Sequence, residues 1–254
     1  ANTTGEMNVG VGCSALDANT TGNYNSAVGY GALSANTTGT RNTSLGFTAL
    51  TANTTGDFNT SLGYNALGNN TTADYNTGIG YKALEDNTTG AQNVAVGDHA
   101  LRDNTTADYN TGVGNAALNS NTTGNSNTAV GANALDANTT ANNNTAVGRH
   151  ALSANTTGGE NTAVGTQALQ TATTDSANTG IGYRALESCN GGDYNTAVGS
   201  RCVEDLTTGD YVTGVGYNAL HNNTTGAQNT AIGSQALYTN TTASYNASLP
   251  QAVL

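Results

Sequence analysis

The sequence predicts an all-β protein, a parallel β-solenoid (a β-roll) of 15 rungs with 17 residues in each rung. The phrase NTTGNYNSAVGYGALSA at residues 19–35 returns every 17 residues without insertion or deletion, which is typical of stacked repeats. β-Branched and aliphatic residues recur at fixed places in each copy, as strands prefer. Glycine and the NTTG segment interrupt every stretch that a helix would need.

The array is expected to run as a single domain over residues 1–249, with residues 250–254 as the end of the regular stack. Pro250 stands where the repeat has Gly, and proline cannot donate to a strand ladder. The chain starts within a copy of the phrase and without Met, so we interpret it as a mature chain or a fragment. Repeat positions are numbered 1 to 17 from the Asn of NTTG.

The first element of each rung is a strand at positions 7 to 11. Position 8 is Thr in most copies, position 9 is Ala, Gly or Ser, and position 10 is always Val, Ile or Leu. Side chains alternate along a strand, so positions 8 and 10 share one side and position 9 takes the other. We expect position 10 to face the core, together with Ala at position 14 and Leu at position 15.

The rest of the rung is predicted as a turn, a short strand at about positions 13 to 16, and a second turn at positions 1 to 5. Position 11 is Gly in 14 copies, which indicates a positive φ angle or a close approach that a Cβ atom would block. Position 7 is Asn in 14 copies, and stacked Asn side chains can pair amide to carbonyl in a ladder.

The small residues at position 9 indicate that another backbone passes close to this side of the strand. Two interpretations are open: the neighbour belongs to a second chain, or the same chain bends tightly against the strand. The first interpretation predicts self-association as a homotrimer or a filament.

The composition argues against several classes of function. Charged residues are 9% of the chain, only six are Lys or Arg, and the net charge is -11, so clustered cations for nucleic acid or anionic membranes are missing. No apolar run approaches the length needed for membrane insertion. The three cysteines have no CxxC spacing, and acidic turn residues lack the calcium-roll consensus. No nucleophile, base and orienting acid recur together, so we expect no enzyme, cofactor or metal site.

The segment Asn144–Leu152, NTAVGRHAL, resembles the SVAIGxxA phrase of trimeric autotransporter adhesin heads. It is also similar to Asn- and Gly-rich repeats of phage and viral tail fibres. Thr145 and Val147 match inward residues of the adhesin phrase, and Ala146 and Gly148 match its small residues. The resemblance implies a left-handed parallel β-roll that forms a homotrimer and is displayed at the cell surface or on a virion. The present phrase is longer, because it contains an extra NTT turn.

Aromatic residues at positions 6 and 12 are the first candidate binding residues. One interpretation is packing between rungs that stabilises the stack, and the other is a platform for a sugar, such as a cell-surface carbohydrate receptor, or for a protein. The pairs found within single rungs are Tyr24, Tyr30, Phe58, Tyr64, Tyr75, Tyr81, Tyr211 and Tyr217.

The NTT segment also matches the N-x-T acceptor of N-glycosylation. Asn serves as a turn residue in one interpretation, and in the other the chain carries a column of glycans as a glycoprotein. The acceptor positions are Asn2, Asn19, Asn36, Asn53, Asn70, Asn87, Asn104, Asn121, Asn138, Asn155, Asn223 and Asn240.

These observations predict a non-enzymatic extracellular structural fibre or adhesin that spaces or displays a binding surface. One alternative is an ice-binding solenoid, suggested by the Thr columns but disfavoured because the adjacent Thr20 and Thr21 would face opposite sides. Another is a glycan-displaying filament that uses the NTT acceptors. The irregular rungs from about Ala172 to Thr208 are read either as neutral drift or as a binding patch.

Overall fold

The computed structural model describes residues 2–249, and the chain forms two compact units, Ala1–Ser126 and Asn127–Leu254. The predicted end of the array at residues 250–254 lies outside the described residues. Unit 1 contains β1 (Val9–Val11), β2 (Ser26–Val28), β3 (Thr43–Leu45), β4 (Thr60–Leu62), β5 (Thr77–Ile79), β6 (Val94–Val96) and β7 (Thr111–Val113). Unit 2 contains β8 (Thr128–Val130), β9 (Thr145–Val147), β10 (Thr162–Val164), β11 (Thr179–Ile181), β12 (Thr196–Val198), β13 (Thr213–Val215), β14 (Thr230–Ile232) and β15 (Ala247–Ser248).

Neighbouring strands within each unit are parallel and pair residues that lie 17 apart in the sequence. In unit 1 Thr43 pairs with Thr60, and in unit 2 Thr145 pairs with Thr162. A parallel neighbour at this fixed offset means that each turn of the chain stacks on the next copy of itself. The predicted all-β parallel β-solenoid with 17-residue rungs is confirmed, and residues 2–249 contain no helix.

The strand covers positions 8 to 10 in β1 to β14, one residue shorter at each end than the predicted 7 to 11. The predicted second strand at positions 13 to 16 is wrong. This segment is a turn, because positions 13 and 15 have left-handed φ angles, 52° at both Asn65 and Leu67. Its amides still bond to adjacent rungs: Leu67 N donates to Ala83 O at 2.9 Å, and Asn65 N donates to Phe47 O at 3.0 Å. The turn therefore satisfies its backbone by stacking rather than by extended pairing.

The core lies on the opposite side of the strand from the one predicted. Leu67 at position 15 and Ser61 at position 9 are fully buried, whereas Leu62 at position 10 is 41% exposed. Position 9 therefore faces inward and position 10 faces outward. The adhesin-like segment shows the same reversal, because Ala146 is buried while Thr145 and Val147 are partly exposed.

The chain itself explains why position 9 is always small. A Cβ atom added to Gly78 would lie 3.1 Å from Leu67 Cγ and 3.1 Å from Ala83 O. The interior is thus filled by one Leu per rung, and only a small side chain fits between that Leu and the strand. The interpretation of a tight approach within one chain is correct for position 9, and this column is not a surface for a second chain.

Two columns of buried Asn connect the rungs, and they differ from the predicted ladder. At position 7, Asn59 Oδ1 accepts from Asn76 N at 3.0 Å and Asn59 Nδ2 donates to Ala73 O at 2.8 Å. These bonds join side chain to backbone. The side chain to side chain ladder lies at position 1, where Asn53 Nδ2 donates to Asn36 Oδ1 at 3.0 Å.

Glycine at position 11 meets both of the predicted requirements. Gly63 has a φ angle of +137°, and a Cβ atom added there would lie 2.3 Å from Gly80 O in the next rung. No L side chain adopts this conformation without strain, and none would fit between the stacked backbones.

Candidate binding surface on the outward side of the strands

The outward strand face consists of the side chains at positions 8 and 10, which the fold does not bury. In β8 to β14 of unit 2 these positions are Thr followed by Val or Ile in every strand. All of these side chains are partly or largely exposed, and none is charged. Parallel strands lie ~4.8 Å apart, so unit 2 presents two regularly spaced columns, one of Thr and one of aliphatic side chains.

In unit 1 a stack of aromatic rings at position 12 flanks the outward strand face. Tyr30, Phe47, Tyr64 and Tyr81, hereafter the ring column, follow one another with centroid distances of 5.1, 5.5 and 5.3 Å and interplanar angles of 16° or less. Each inner ring has a neighbour on both faces, so its edge is what solvent or a ligand meets. Packing between rungs is therefore observed, and a sugar could not stack on the faces of Phe47 or Tyr64.

Position 6 carries a second stack in unit 1. The guanidinium of Arg41 lies between two rings, 5.4 Å from the centroid of Tyr24 and 5.1 Å from that of Phe58. Phe58 stacks in turn on Tyr75 at 4.9 Å. These contacts stabilise the stack of rungs and cover the ring faces here as well.

In unit 2 the predicted residues Tyr211 and Tyr217 are both exposed, and Tyr211 stacks on Tyr194 at 5.2 Å. Phe47, Arg41 and Tyr194 were not among the predicted residues, because the predicted aromatic pairs lie within single rungs. Comparing one position from rung to rung would have identified all three.

The acceptor Asn residues of the NTT segments lie mainly in the interior. Asn53 is fully buried, and its Nδ2 atom, to which a glycan would be attached, donates to Asn36 Oδ1 and to Gly56 O at 3.0 Å. A glycan at this atom would break the position 1 ladder. Asn2 is exposed and Asn240 is partly exposed. The buried acceptors are Asn19, Asn36, Asn53, Asn70, Asn87, Asn104, Asn121, Asn138, Asn155 and Asn223.

Reactive groups are not assembled into a site in the part of the chain that the structure describes. Residues 2–249 contain no pocket and no group of three or more His, Cys, Asp or Glu side chains that could hold a metal ion. Burial raises the pKa of the Cys189 and Cys202 thiols to about 12, so neither is a thiolate at neutral pH. Acidic turn residues bond to the neighbouring rung: Asp57 Oδ1 accepts from Thr40 N at 2.6 Å.

The irregular rungs of unit 2 differ from the repeat mainly in their interior. Ala172, Cys189 and Leu206 replace Asn at position 1, and all three are fully buried. Nearby, the Glu204 carboxylate lies 3.5 Å from Arg184 Nη1 and 3.4 Å from His221 Nδ1. The position 1 replacements exchange amide hydrogen bonds for apolar packing, the Arg184–Glu204 ion pair lies beside them, and the described residues form no pocket there.

Comparison with models of known protein families gives no match, and comparison with curated proteins gives none either. Among residues 2–249 there is no helix with the length and apolar character needed to cross a membrane.

Proposed function

We propose that this chain is a non-enzymatic structural repeat protein of the fibre or adhesin class, which acts outside the cell or on a virion. Its binding surface is the outward strand face. The observation that carries this proposal is the division of labour within each rung. Leu, Ala, Asn and Gly are used inside, whereas the outward Thr and aliphatic columns have no partner that the fold requires.

The geometry supports binding of an extended ligand by unit 2. Thr162 and Val164 lie two residues apart on β10, and the same pair recurs in the neighbouring strands. The hydroxyl offers hydrogen bonds and the aliphatic column offers apolar contact. Hydrogen bonds between rungs hold the backbone of this face in place, which lowers the entropy lost on binding.

A matched pair of lysine variants tests this proposal. Thr162 lies on the outward strand face, whereas Thr157 at position 3 is exposed in the turn preceding the same strand. Labelled chain is applied to arrays of cell-surface carbohydrates and extracellular proteins, and to intact cells. We expect saturable binding that Thr162→Lys weakens about tenfold or more and that Thr157→Lys leaves unchanged. Absence of saturable binding, or equal loss in both variants, would contradict the proposal.

A second candidate, ice binding, is favoured by the regularity of the unit 2 face. The adjacent Thr residues of NTT are poor candidates for ice contact, and one of these, Thr156, uses its hydroxyl to donate to Thr173 O at 3.0 Å. Position 8 differs, because Thr and the aliphatic residue at position 10 lie on the same side of each strand and recur every 17 residues.

Thermal hysteresis measured on the native chain and on the two lysine variants distinguishes ice binding from adhesion. Hysteresis in the native chain that is lost in Thr162→Lys and kept in Thr157→Lys would support ice binding. A native chain without hysteresis would reject it and leave the adhesin proposal in place.

A further inference from the structure

We infer that a second copy of this chain packs on one apolar surface of unit 1. This surface, the unit 1 apolar face, consists of the ring column (Tyr30, Phe47, Tyr64 and Tyr81) with Leu45 and Leu62 beside it. The inference is independent of ligand binding by unit 2. It also moves self-association away from position 9, which is buried against the chain's own Leu residues.

Unit 1 exposes a large apolar surface to solvent. The four rings are 46–54% exposed, and Leu45 and Leu62 are 46% and 41% exposed. Together these side chains offer roughly 600 Å² of apolar surface, at the upper end of the patches found on monomers and close to the ~800 Å² that each partner buries in a stable interface. The two Leu residues occur in the same rungs as the central rings, Phe47 and Tyr64.

The fold does not require aromatic side chains at position 12. Unit 2 has the same rung, and its position 12 carries two separated rings, Tyr183 and Tyr217. Its other rungs keep the strand pairing without an aromatic residue there, as at Ala132, Arg149, Thr166 and Ser200. Packing between rungs is thus not a sufficient reason for four consecutive aromatic residues in unit 1. A surface with a use of its own accounts for the difference.

The distribution of charge on the chain favours a second copy as the partner that covers the unit 1 apolar face. The chain has a net charge of -11, so two copies repel each other unless they approach through an uncharged surface. Positions 8, 10 and 12 carry no charged residue in the four rungs of the ring column, and Asp98 is the first such residue beyond them. Beside the ring column Lys82 Nζ lies 5.8 Å from the centroid of the Tyr81 ring, but it is paired with Glu85 Oε1 at 3.2 Å, so this face offers an acidic or basic partner little complementary charge. A second copy brings the same uncharged apolar surface, as an isologous contact requires.

The side chains of the ring column are ordered before a second copy binds. The rings already stack on one another within 16° of parallel, so little side-chain freedom is lost when the face is covered. Their edges point outward, and ring edges pack well against the rings of a partner in offset or edge-to-face geometry.

The test is the mass of the full chain in solution, measured by light scattering over a range of concentrations into the micromolar region. The Phe47→Ser, Tyr64→Ser double variant removes the centre of the unit 1 apolar face. The Phe58→Ser, Tyr75→Ser double variant makes the same two exchanges at position 6 and serves as the control. Circular dichroism and thermal melting report whether each variant keeps the fold.

We expect the native chain and the control to exceed the mass of one chain as concentration rises, and the Phe47→Ser, Tyr64→Ser variant to keep that of one chain. A native chain with the mass of one chain at every concentration would overturn the inference, as would equal dissociation of both variants.

A second variant tests the same face without removing a ring. Leu45→Glu places one carboxylate on each copy, so the two charges repel across the interface. We expect dissociation at low salt and partial recovery of association at high salt, because salt screens this repulsion. Association that is unchanged by Leu45→Glu at low salt would also count against the inference.

Discussion

At the scale of single residues, the Asn side chain connects one rung to the next. Both Asn columns are evident in the sequence from their repetition, but the side-chain ladder predicted at position 7 lies at position 1. The position 7 side chain bonds to backbone atoms of the next rung, whereas the position 1 side chain bonds both to Asn of its own column and to the backbone oxygen at position 4. The turns that connect these columns contain left-handed φ angles at positions 6, 13 and 15. Those φ angles are adopted by Leu, Tyr and Asn alike, so no residue type marks them in the sequence.

Removal of one position 7 amide tests this role. Asn59→Ala leaves Asn76 N and Ala73 O without their partners inside the protein. We expect a loss of about 2–4 kcal/mol in the free energy of unfolding, measured with urea. Thr55→Ala, at an exposed position of the same rung, is expected to change it by less than about 0.5 kcal/mol. Equal effects of the two variants would show that the Asn column is dispensable.

Asp175 gives unit 2 a dependence on pH. Burial raises the pKa of this carboxyl from 3.8 to about 6, while the bond from Gly191 N opposes the shift. Its Oδ2 atom is buried without a hydrogen-bond partner. A carboxyl with a raised pKa stabilises the fold below its unfolded value of 3.8, and this contribution is lost as the pH rises through about 6.

The Asp175→Asn variant removes this ionisation and keeps the shape of the side chain. We expect the melting temperature of the native chain to fall between pH 4 and pH 7 relative to that of the variant, by the equivalent of about 2 kcal/mol at most. Thermal melts across this pH range provide the measurement. Parallel pH profiles for the two proteins would mean that Asp175 titrates normally.

At the scale of the elements, the existence of the first strand was predicted correctly, with one residue too many at each end, and its orientation was predicted wrongly. Hydropathy places the aliphatic position 10 inside and the small position 9 outside. The interior is so narrow that Leu at position 15 fills it, and only Ala, Gly or Ser can face that Leu. The size of the inner side chain therefore decides the orientation, and the aliphatic column becomes the outward face.

Two glycines of neighbouring rungs are expected to differ in how well they tolerate a Cβ atom, because one lies at position 11 in the turn and the other at position 9 in the strand. Gly63→Ala at position 11 forces a Cβ atom to within 2.3 Å of Gly80 O at a φ angle of +137°, and we expect it to cost about 3 kcal/mol or more. Gly78→Ala at position 9 introduces the residue that Ala95 already is in the next strand, and we expect a cost below about 1 kcal/mol. Chemical denaturation of both variants measures the difference. A smaller cost for Gly63→Ala than for Gly78→Ala would contradict the stacking of position 11.

At the scale of the whole molecule, the 17-residue period was enough to predict the class of fold, because a fixed short repeat has few ways to bury its apolar residues. The candidate surface was only partly predictable. Six of the eight predicted aromatic residues lie in the stacks of unit 1, whereas most of the acceptor Asn residues are interior. The residues available for binding are those that the fold leaves exposed. The orientation of the strands determines which residues these are.

In each rung the inward columns stabilise the fold, and we propose that the outward columns bind. Ile181 at position 10 and Leu186 at position 15 are isomeric side chains of one rung, 39% exposed and fully buried respectively. Urea unfolding of Ile181→Ala and Leu186→Ala compares them directly. We expect Leu186→Ala to lower the free energy of unfolding by about 2–5 kcal/mol and Ile181→Ala to lower it by less than about 1 kcal/mol. The reverse order, or equal losses, would contradict the assignment of inside and outside on which the proposed binding surface depends.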